Sequence, residues 1–221
     1  FLTTSIRGGP SGHTAPDHLG YDLKPGYKNP DSEESDHNYT LKVLAYHAGT
    51  GKLLWERTAY DGIMWDDRHK RNTYASPSVV TDGSLLYAFF EAPGLYAYDF
   101  KGNLVWKADL GDMRTRNGFG EGASPALHGN TIVVNWDHED DSFIVALDKK
   151  TGDEIWRKGR DEVTSWSTPI VVEHDGRPQV IPGTDPTPEG VRVCPAVEGA
   201  TNWMSTAFHP GTGLFYVMSL E

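Results

Sequence analysis

The sequence predicts an all-β fold, an antiparallel β-propeller of four-stranded blades. Two periodic markers and the absence of any helical periodicity carry that prediction. The first marker is a phrase met three times: an apolar strand ending in Ala-x-(Asp/His), a Gly turn, and a strand ending in Trp. It reads VLAYHAGTGKLLW over 43–55, GLYAYDFKGNLVW over 94–106 and FIVALDKKTGDEIW over 143–156, with the tryptophans 51 and 50 residues apart. The second marker is Ser76-Pro77, Ser124-Pro125 and Thr168-Pro169, each opening an apolar stretch. A period of about 40–50 residues with four short strands per unit marks a propeller blade.

Phe1 to Ile6 reads as a first strand. Residues 7–40 have loop composition, with Gly8-Gly9-Pro10, Pro25-Gly26, Pro30 and an acidic run from Asp31 to Asp36. Leu41 to Ala45 and Lys52 to Arg57 form a hairpin across Gly49-Thr50-Gly51, and the charged stretch Asp61 to Thr73 reads as an inter-blade loop. The next blade follows as strands at Ser78 to Val80, Leu85 to Phe90, Leu95 to Asp99 and Leu104 to Lys107. A further blade repeats them at Ala126 to Leu127, Ile132 to Trp136, Phe143 to Asp148 and Glu154 to Arg157. A fourth opens at Thr168, but beyond Ile181 the run Pro182 to Pro188 replaces the expected hairpin and Trp. The organisation is therefore 1–40, a strand plus irregular loop; 41–181, propeller blades; and 182–221, a further blade segment.

Each recurring residue has a physical task. The small Ala lets an aromatic lie close, the Asp accepts bonds from turn amides, and the Gly supplies positive φ. The Trp wedges between twisted sheets, so Trp55, Trp106 and Trp156 are expected to be structural, equivalent and largely buried. Four or so units drawn from a larger ring would leave apolar faces bare. Residues 1–6 and 213–221 are accordingly expected to be strands that pair with, or pack on, further chain or a second copy, as parts of a partial ring.

The net charge of −11 (31 acidic against 20 basic residues) disfavours nucleic acid and anionic membranes, both of which need a basic surface. No apolar run approaches the eighteen residues of a membrane span, and no signal-peptide pattern occurs in these residues. The single Cys194 rules out an internal disulfide.

The motif A-x-D-x-x-T-G-x-x-x-W with its blade-opening Ser-Pro resembles the repeats of pyrroloquinoline-quinone (PQQ) propellers. Within that superfamily, residues 41–181 look most like the secreted, non-catalytic PQQ-like repeat proteins. Residues 183–221 instead resemble the quinoprotein alcohol dehydrogenases, through Gly199-Ala200-Thr201-Asn202-Trp203 and then His209-Pro210-Gly211-Thr212-Gly213-Leu214-Phe215-Tyr216-Val217. That resemblance implies PQQ as cofactor, with Asn202 and Trp203 as its contacts. It also implies Ca²⁺ or a lanthanide ion beside the quinone, although no segment matches the metal ligands, the catalytic Asp or the quinone-binding Arg. The adjacent-cysteine disulfide that caps the quinone in those enzymes needs two cysteines, and this chain has one.

Other constellations have plainer readings beside them. Asp137-His138-Glu139-Asp140-Asp141 could hold a hard cation through oxygen ligands, or be a solvated hairpin loop. Gly118-Phe119-Gly120-Glu121-Gly122 leads into a strand and not into a helix N-terminus, so a tight inter-blade crossing fits better than a phosphate cradle. Arg114 and Arg116 before it could form a basic pair for an acidic ligand. Trp166 and Trp136 each stand beside polar residues, as a quinone floor or an ordinary buried indole would. The histidines lack metal spacing, and there is no nucleophile elbow.

Two functions follow from the resemblance. One is an extracytoplasmic, periplasmic or secreted PQQ-dependent alcohol or sugar dehydrogenase, or a segment of one. There a metal ion polarises the quinone while a carboxylate takes the alcohol proton. The other is a non-catalytic scaffold that binds a protein partner, motivated by the repeats of 41–181 and the missing metal ligands.

Overall fold

A computed structural model of the chain describes residues 1–18, 26–33, 35–174, 177–181, 207–209 and 214–216. Among them no helix occurs, and the sheets are antiparallel throughout. The first sheet joins β1 (Leu2–Pro10), β3 (His37–Tyr46) and β4 (Leu53–Ile63) in the order β1-β3-β4. A small ladder pairs β2 (Ser32–Glu33) with β5 (Arg68–His69). The second blade is β6 (Val80–Thr81), β7 (Leu85–Phe89), β8 (Leu95–Asp99) and β9 (Leu104–Ala108), each strand beside the next. The third repeats it with β10 (Ala126–His128), β11 (Thr131–Trp136), β12 (Phe143–Asp148) and β13 (Glu154–Gly159). Two hairpins follow, β14 (Ile170–His174) with β15 (Arg177–Ile181), and β16 (Ala207–His209) with β17 (Leu214–Tyr216). These are propeller blades, and among the described residues they do not close a ring.

Strand alternation explains the stacking. Successive residues of a strand point to opposite faces, so a blade between two neighbours must be apolar on both. On β7, Leu86 and Ala88 pack towards Leu41 and Val43 of β3, while Tyr87 and Phe89 pack towards Ile132 and Val134 of β11. On the far side of the third blade, Val133, Ile144 and Ala146 meet Val171 and Val180 of the fourth. The blade openers are also tied together. Ser78 N–H donates to Ser124 Oγ at 2.8 Å, and Ser124 N–H donates to Thr168 Oγ1 at 3.0 Å.

The three tryptophans occupy equivalent places: Trp55 opposite Ala45, Trp106 opposite Ala97 and Trp156 opposite Ala146. Their burial is not equivalent, which corrects the expectation. Trp106 is 8% exposed, Trp55 is half-buried, and Trp156 is 39% exposed. The reason lies in the next blade. Trp55 donates Nε1–H to Phe100 O at 2.9 Å, and its ring stands 2.9 Å from where a Cβ on Gly102 would sit. Trp106 does the same one blade on, to Lys149 O at 3.0 Å and against Gly152 at 2.7 Å. Trp156 has no such turn beside it among the described residues.

At the start of the chain β1 is the edge strand of its sheet and pairs with β3 on one side, from Leu2 opposite Leu44 to Ile6 opposite Thr40. It also runs on to Pro10, through residues whose composition reads as loop. A strand edge tolerates Pro, because the missing N–H faces no partner. Residues 214–216 form β17 and pair with β16, not with β1.

Candidate functional site at the loop end of the blades

Because successive strands are antiparallel, every turn lies at one of two ends. The tight hairpins at 47–52, 100–103 and 149–153 share one end. The other, the loop end, gathers 11–18, 26–36, 64–79, 90–94, 109–125, 137–142 and 160–169. Its polar side chains are organised far beyond what surface loops require.

His18 and Asp67 form its deepest pair, Nε2 to Oδ2 at 2.8 Å, with both side chains 1% exposed. Asn29 N–H donates to His18 Nδ1 at 2.8 Å, so that nitrogen is the acceptor and Nε2 carries the proton. Burial alone would raise the Asp67 carboxyl, but donors from His18, Ser35 and Lys28 outweigh it and hold it below the usual range. Gly118, at φ +60°, makes this possible: a Cβ there would run into the His18 ring. The glycine run is thus a tight crossing, as its sequence suggests. Asp66, next in the chain, accepts from Thr115 N–H at 2.8 Å and Thr115 Oγ1–H at 2.9 Å. Its carboxyl is nonetheless raised, burial being the dominant cause.

Beneath these loops lies a cavity of about 20 Å³, room for one water molecule. Asp66, Asp67, Glu91 and Glu121 line it, and among the described residues no basic side chain does. Glu91 and Glu121 are each 6% exposed, and Glu91 Oε1 and both Glu121 carboxyl oxygens have no hydrogen-bond partner among the described residues. Desolvation pushes the Glu91 carboxyl up to about 8, and the Glu121 carboxyl rises from burial and from the charges of Glu91 and Asp66. The Glu91 carboxyl is therefore mostly protonated at neutral pH. Glu91 also adopts φ +65°, a left-handed conformation that costs a non-glycine residue on the order of 1 kcal/mol. The turn enforces it, with Gly94 N–H donating to Glu91 O at 2.7 Å.

Arg114 and Arg116 do not form a free basic pair. The Arg114 guanidinium donates to Asp17 O at 2.6 Å, and Arg116 Nε lies 3.5 Å from Glu139 Oε1. Glu139 Oε1 in turn accepts from Thr164 Oγ1–H at 2.7 Å. Asp137 turns inward, 2% exposed, to accept from Arg160 Nε–H at 2.7 Å and from Asn135. Its carboxylate is thereby neutralised within the fold, and among the described residues no three His, Cys, Asp or Glu side chains converge on a metal position. Trp136 is core, 1% exposed and stacked on Phe143.

On this hydrogen-bonded floor stands a row of half-buried rings. His69 meets Phe119 edge-on at 4.8 Å between centroids, and Phe119 meets Trp166 at 6.5 Å. The row is fixed from below, since His69 N–H donates to Phe119 O at 2.8 Å and Trp166 Nε1–H to Gly120 O at 2.6 Å. Such rigid, amphipathic rings are what protein-binding surfaces use as anchors.

Besides the small cavity, the loop end has an open cleft of about 120 Å³ beside Tyr60, Trp65, Lys107 and Asp112. Asn202 and Trp203, the expected quinone contacts, lie outside the described residues. Sequence reading missed His18, Asp67, Glu91 and Glu121. The available signal was a Glu directly after the apolar run 85–90 and another between two glycines.

Comparison with known proteins places the chain. A family model described as outer membrane protein assembly factor BamB matches residues 40–206. The quinohemoprotein alcohol dehydrogenase ADH IIB of Pseudomonas putida is 26% identical over 183 residues, covering 82% of this chain and 19% of that protein. The lanthanide-dependent methanol dehydrogenase of Methylorubrum extorquens is 34% identical over 84 residues, 34% of this chain and 14% of that one. The chain thus spans less than a fifth of the length of these curated relatives. The crystal structure of BamB from Moraxella catarrhalis aligns with a TM-score of 0.40 at 17% identity, over 77% of this chain and 58% of that one.

Proposed function

The chain belongs to the family described as outer membrane protein assembly factor BamB, and from that premise we propose that it is a non-catalytic, extracytoplasmic propeller whose loop end binds a protein. The observation that carries the reading is the row His69–Phe119–Trp166, held on a buried hydrogen-bond network. A rigid platform binds without first paying for its own ordering, so its rings contribute affinity directly. The family description suggests the partner's class, a protein component of outer-membrane assembly. Titrating such a purified component against the labelled chain tests this. Phe119→Ala should weaken binding at least tenfold, as expected of a central aromatic anchor. Unchanged affinity would remove the platform from the account.

A second reading is favoured by one specific observation, the Gly199 to Trp203 and His209 to Val217 motifs together with a dehydrogenase relative that matches 82% of the chain. In it the chain is a segment of a PQQ-dependent alcohol or sugar dehydrogenase, with Asn202 and Trp203 against the quinone and Ca²⁺ or a lanthanide beside it. When bound, PQQ would supply hydride acceptance. Incubation with PQQ and Ca²⁺, followed by absorbance and by alcohol-dependent reduction of a dye, separates the two readings. A saturable quinone spectrum would favour the enzyme.

A further inference from the structure

Under the aromatic row two loops meet through a pair of carboxyls. Glu91 follows the apolar run 85–90, on the turn between β7 and β8, and Glu121 stands between Gly120 and Gly122. Glu121 N–H donates to the Glu91 carboxyl, which bonds one loop to the backbone of the other. Both side chains share a cavity with room for one water molecule. One oxygen of Glu91 and both of Glu121 meet no donor among the described residues.

The surroundings offer nothing to balance a charge there. From the loop 64–74, Asp66 and Asp67 face the same cavity, and the Tyr74 hydroxyl donates to Asp66 O at 2.9 Å. His18 and Lys28 are engaged by Asp67, at 2.8 and 3.0 Å. Arg68, whose Cβ lies against Gly120, directs its guanidinium to Glu33 at 2.6 Å. Met113 and Thr115 bring no charge. Burial pushes the Glu91 carboxyl up to about 8, and burial followed by the charges of Glu91 and Asp66 raises that of Glu121. A carboxylate without donors either keeps its proton or moves to water.

The segment that carries Glu121 also holds the row. Gly120 O accepts Trp166 Nε1–H at 2.6 Å, a Cβ on Gly122 would stand 3.8 Å from Trp166 Cδ1, and Phe119 O accepts His69 N–H at 2.8 Å. Glycine on either side lets the backbone turn once the Glu121 side chain is released, and Gly120 already stands at φ +70°. Glu91 is held by its turn and by the Glu121 N–H, so Glu121 is the side chain free to leave.

We propose that Glu91 and Glu121 form a proton-operated latch. With both carboxyls neutral, 115–122 is seated and the row His69–Phe119–Trp166 is assembled. When the pair ionises, Glu121 leaves the cavity for water and draws Gly120 O and Phe119 away from the row. Resting on the reading that this row binds a protein, the latch makes that binding depend on pH. A raised carboxyl favours the seated form at low pH, and that contribution is lost as pH rises through the folded value. The latch therefore opens as pH rises through about 8, not in acid.

Fluorine NMR of the full chain labelled with fluorotryptophan tests the latch without any partner. The Trp166 resonance, assigned by its loss in Trp166→Phe, should move with a midpoint of about pH 8. Glu121→Gln cannot ionise and should keep the resonance in its low-pH position. A wild-type resonance that stays put between about pH 6 and about pH 9.5 overturns the proposal, as does movement that survives in Glu121→Gln. If circular dichroism shows Glu121→Gln unfolded, Glu91→Gln decides. It should displace the midpoint, since the two carboxyls titrate together, and an unchanged midpoint overturns the latch. Wild-type affinity for a purified protein component of outer-membrane assembly should weaken about tenfold between about pH 6 and about pH 9, and stay level in Glu121→Gln. An equal loss in both overturns the latch. Binding at neither pH removes the protein-binding reading, and the fluorine signal alone then decides the latch.

Discussion

At the scale of single residues, the loop end rests on carboxyls held in opposite protonation states by their surroundings. Glu91, with its carboxyl near 8 in the fold against an ordinary 4.5, is protonated there when it would be ionised in the unfolded chain. A raised folded pKa contributes stability that is whole below the unfolded value and is lost as pH rises through the folded one. The melting temperature should therefore fall between about pH 5 and about pH 9, and Glu91→Gln should flatten that fall by roughly 5 °C or more. A variant with the wild-type slope would show that Glu91 does not titrate in this window. Asp67 has the other sign. Its carboxyl is depressed, so its contribution is present above the unfolded value of 3.8 and is lost as pH drops through the folded one. Removing its charge with Asp67→Asn leaves His18 and Lys28 facing a neutral group and should destabilise the fold by about 3 kcal/mol in denaturant titration. These four residues, His18, Asp67, Glu91 and Glu121, come from four separate loops. No spacing in the sequence brings them together, so their convergence was not legible in it, although the placing of Glu91 and Glu121 beside an apolar run and between glycines marked those two singly.

At the scale of elements, the blade was legible because its markers do mechanical work at fixed places. Asp99 and Asp148 accept from the amides of their turns, at 2.8 Å from Lys101 N and 2.7 Å from Lys150 N, and the Ala opposite each Trp leaves room for the ring. A residue constrained by geometry in every blade repeats, and a repeat can be read. The fate of each indole could not be read, since it depends on whether the next blade's turn is there. Trp106→Ala should accordingly cost about 3–5 kcal/mol, as for a buried aromatic, whereas Trp156→Ala should cost about 1 kcal/mol or less. Equal costs for the two would contradict the docked-indole account. The first sheet was harder for a different reason. Gly8-Gly9-Pro10 has turn composition, yet it lies on the edge of a ladder whose pairing with β3 is set from Leu2 to Arg7.

At the scale of the whole molecule, the two ends of the blades differ in chemistry. The hairpin end is simple and repetitive, and it joins blade to blade. The loop end breaks the repeat, lines a small cavity with four carboxyl groups, one of them the Asp of the buried His18–Asp67 pair, and sets a row of aromatic rings above them. Regular frameworks that carry irregular loops commonly place binding in the loops. The fold is therefore readable from its repeat, and the proposed binding surface lies in the part that does not repeat. Hydrogen exchange of the full chain, with and without a purified protein component of outer-membrane assembly, tests this division most directly. The account predicts slowed exchange at 64–74, 114–121 and 160–167, with the hairpin turns at 100–103 and 149–153 unchanged. Protection confined to the hairpin turns or the outer strands, with the loop end unaffected, would contradict it.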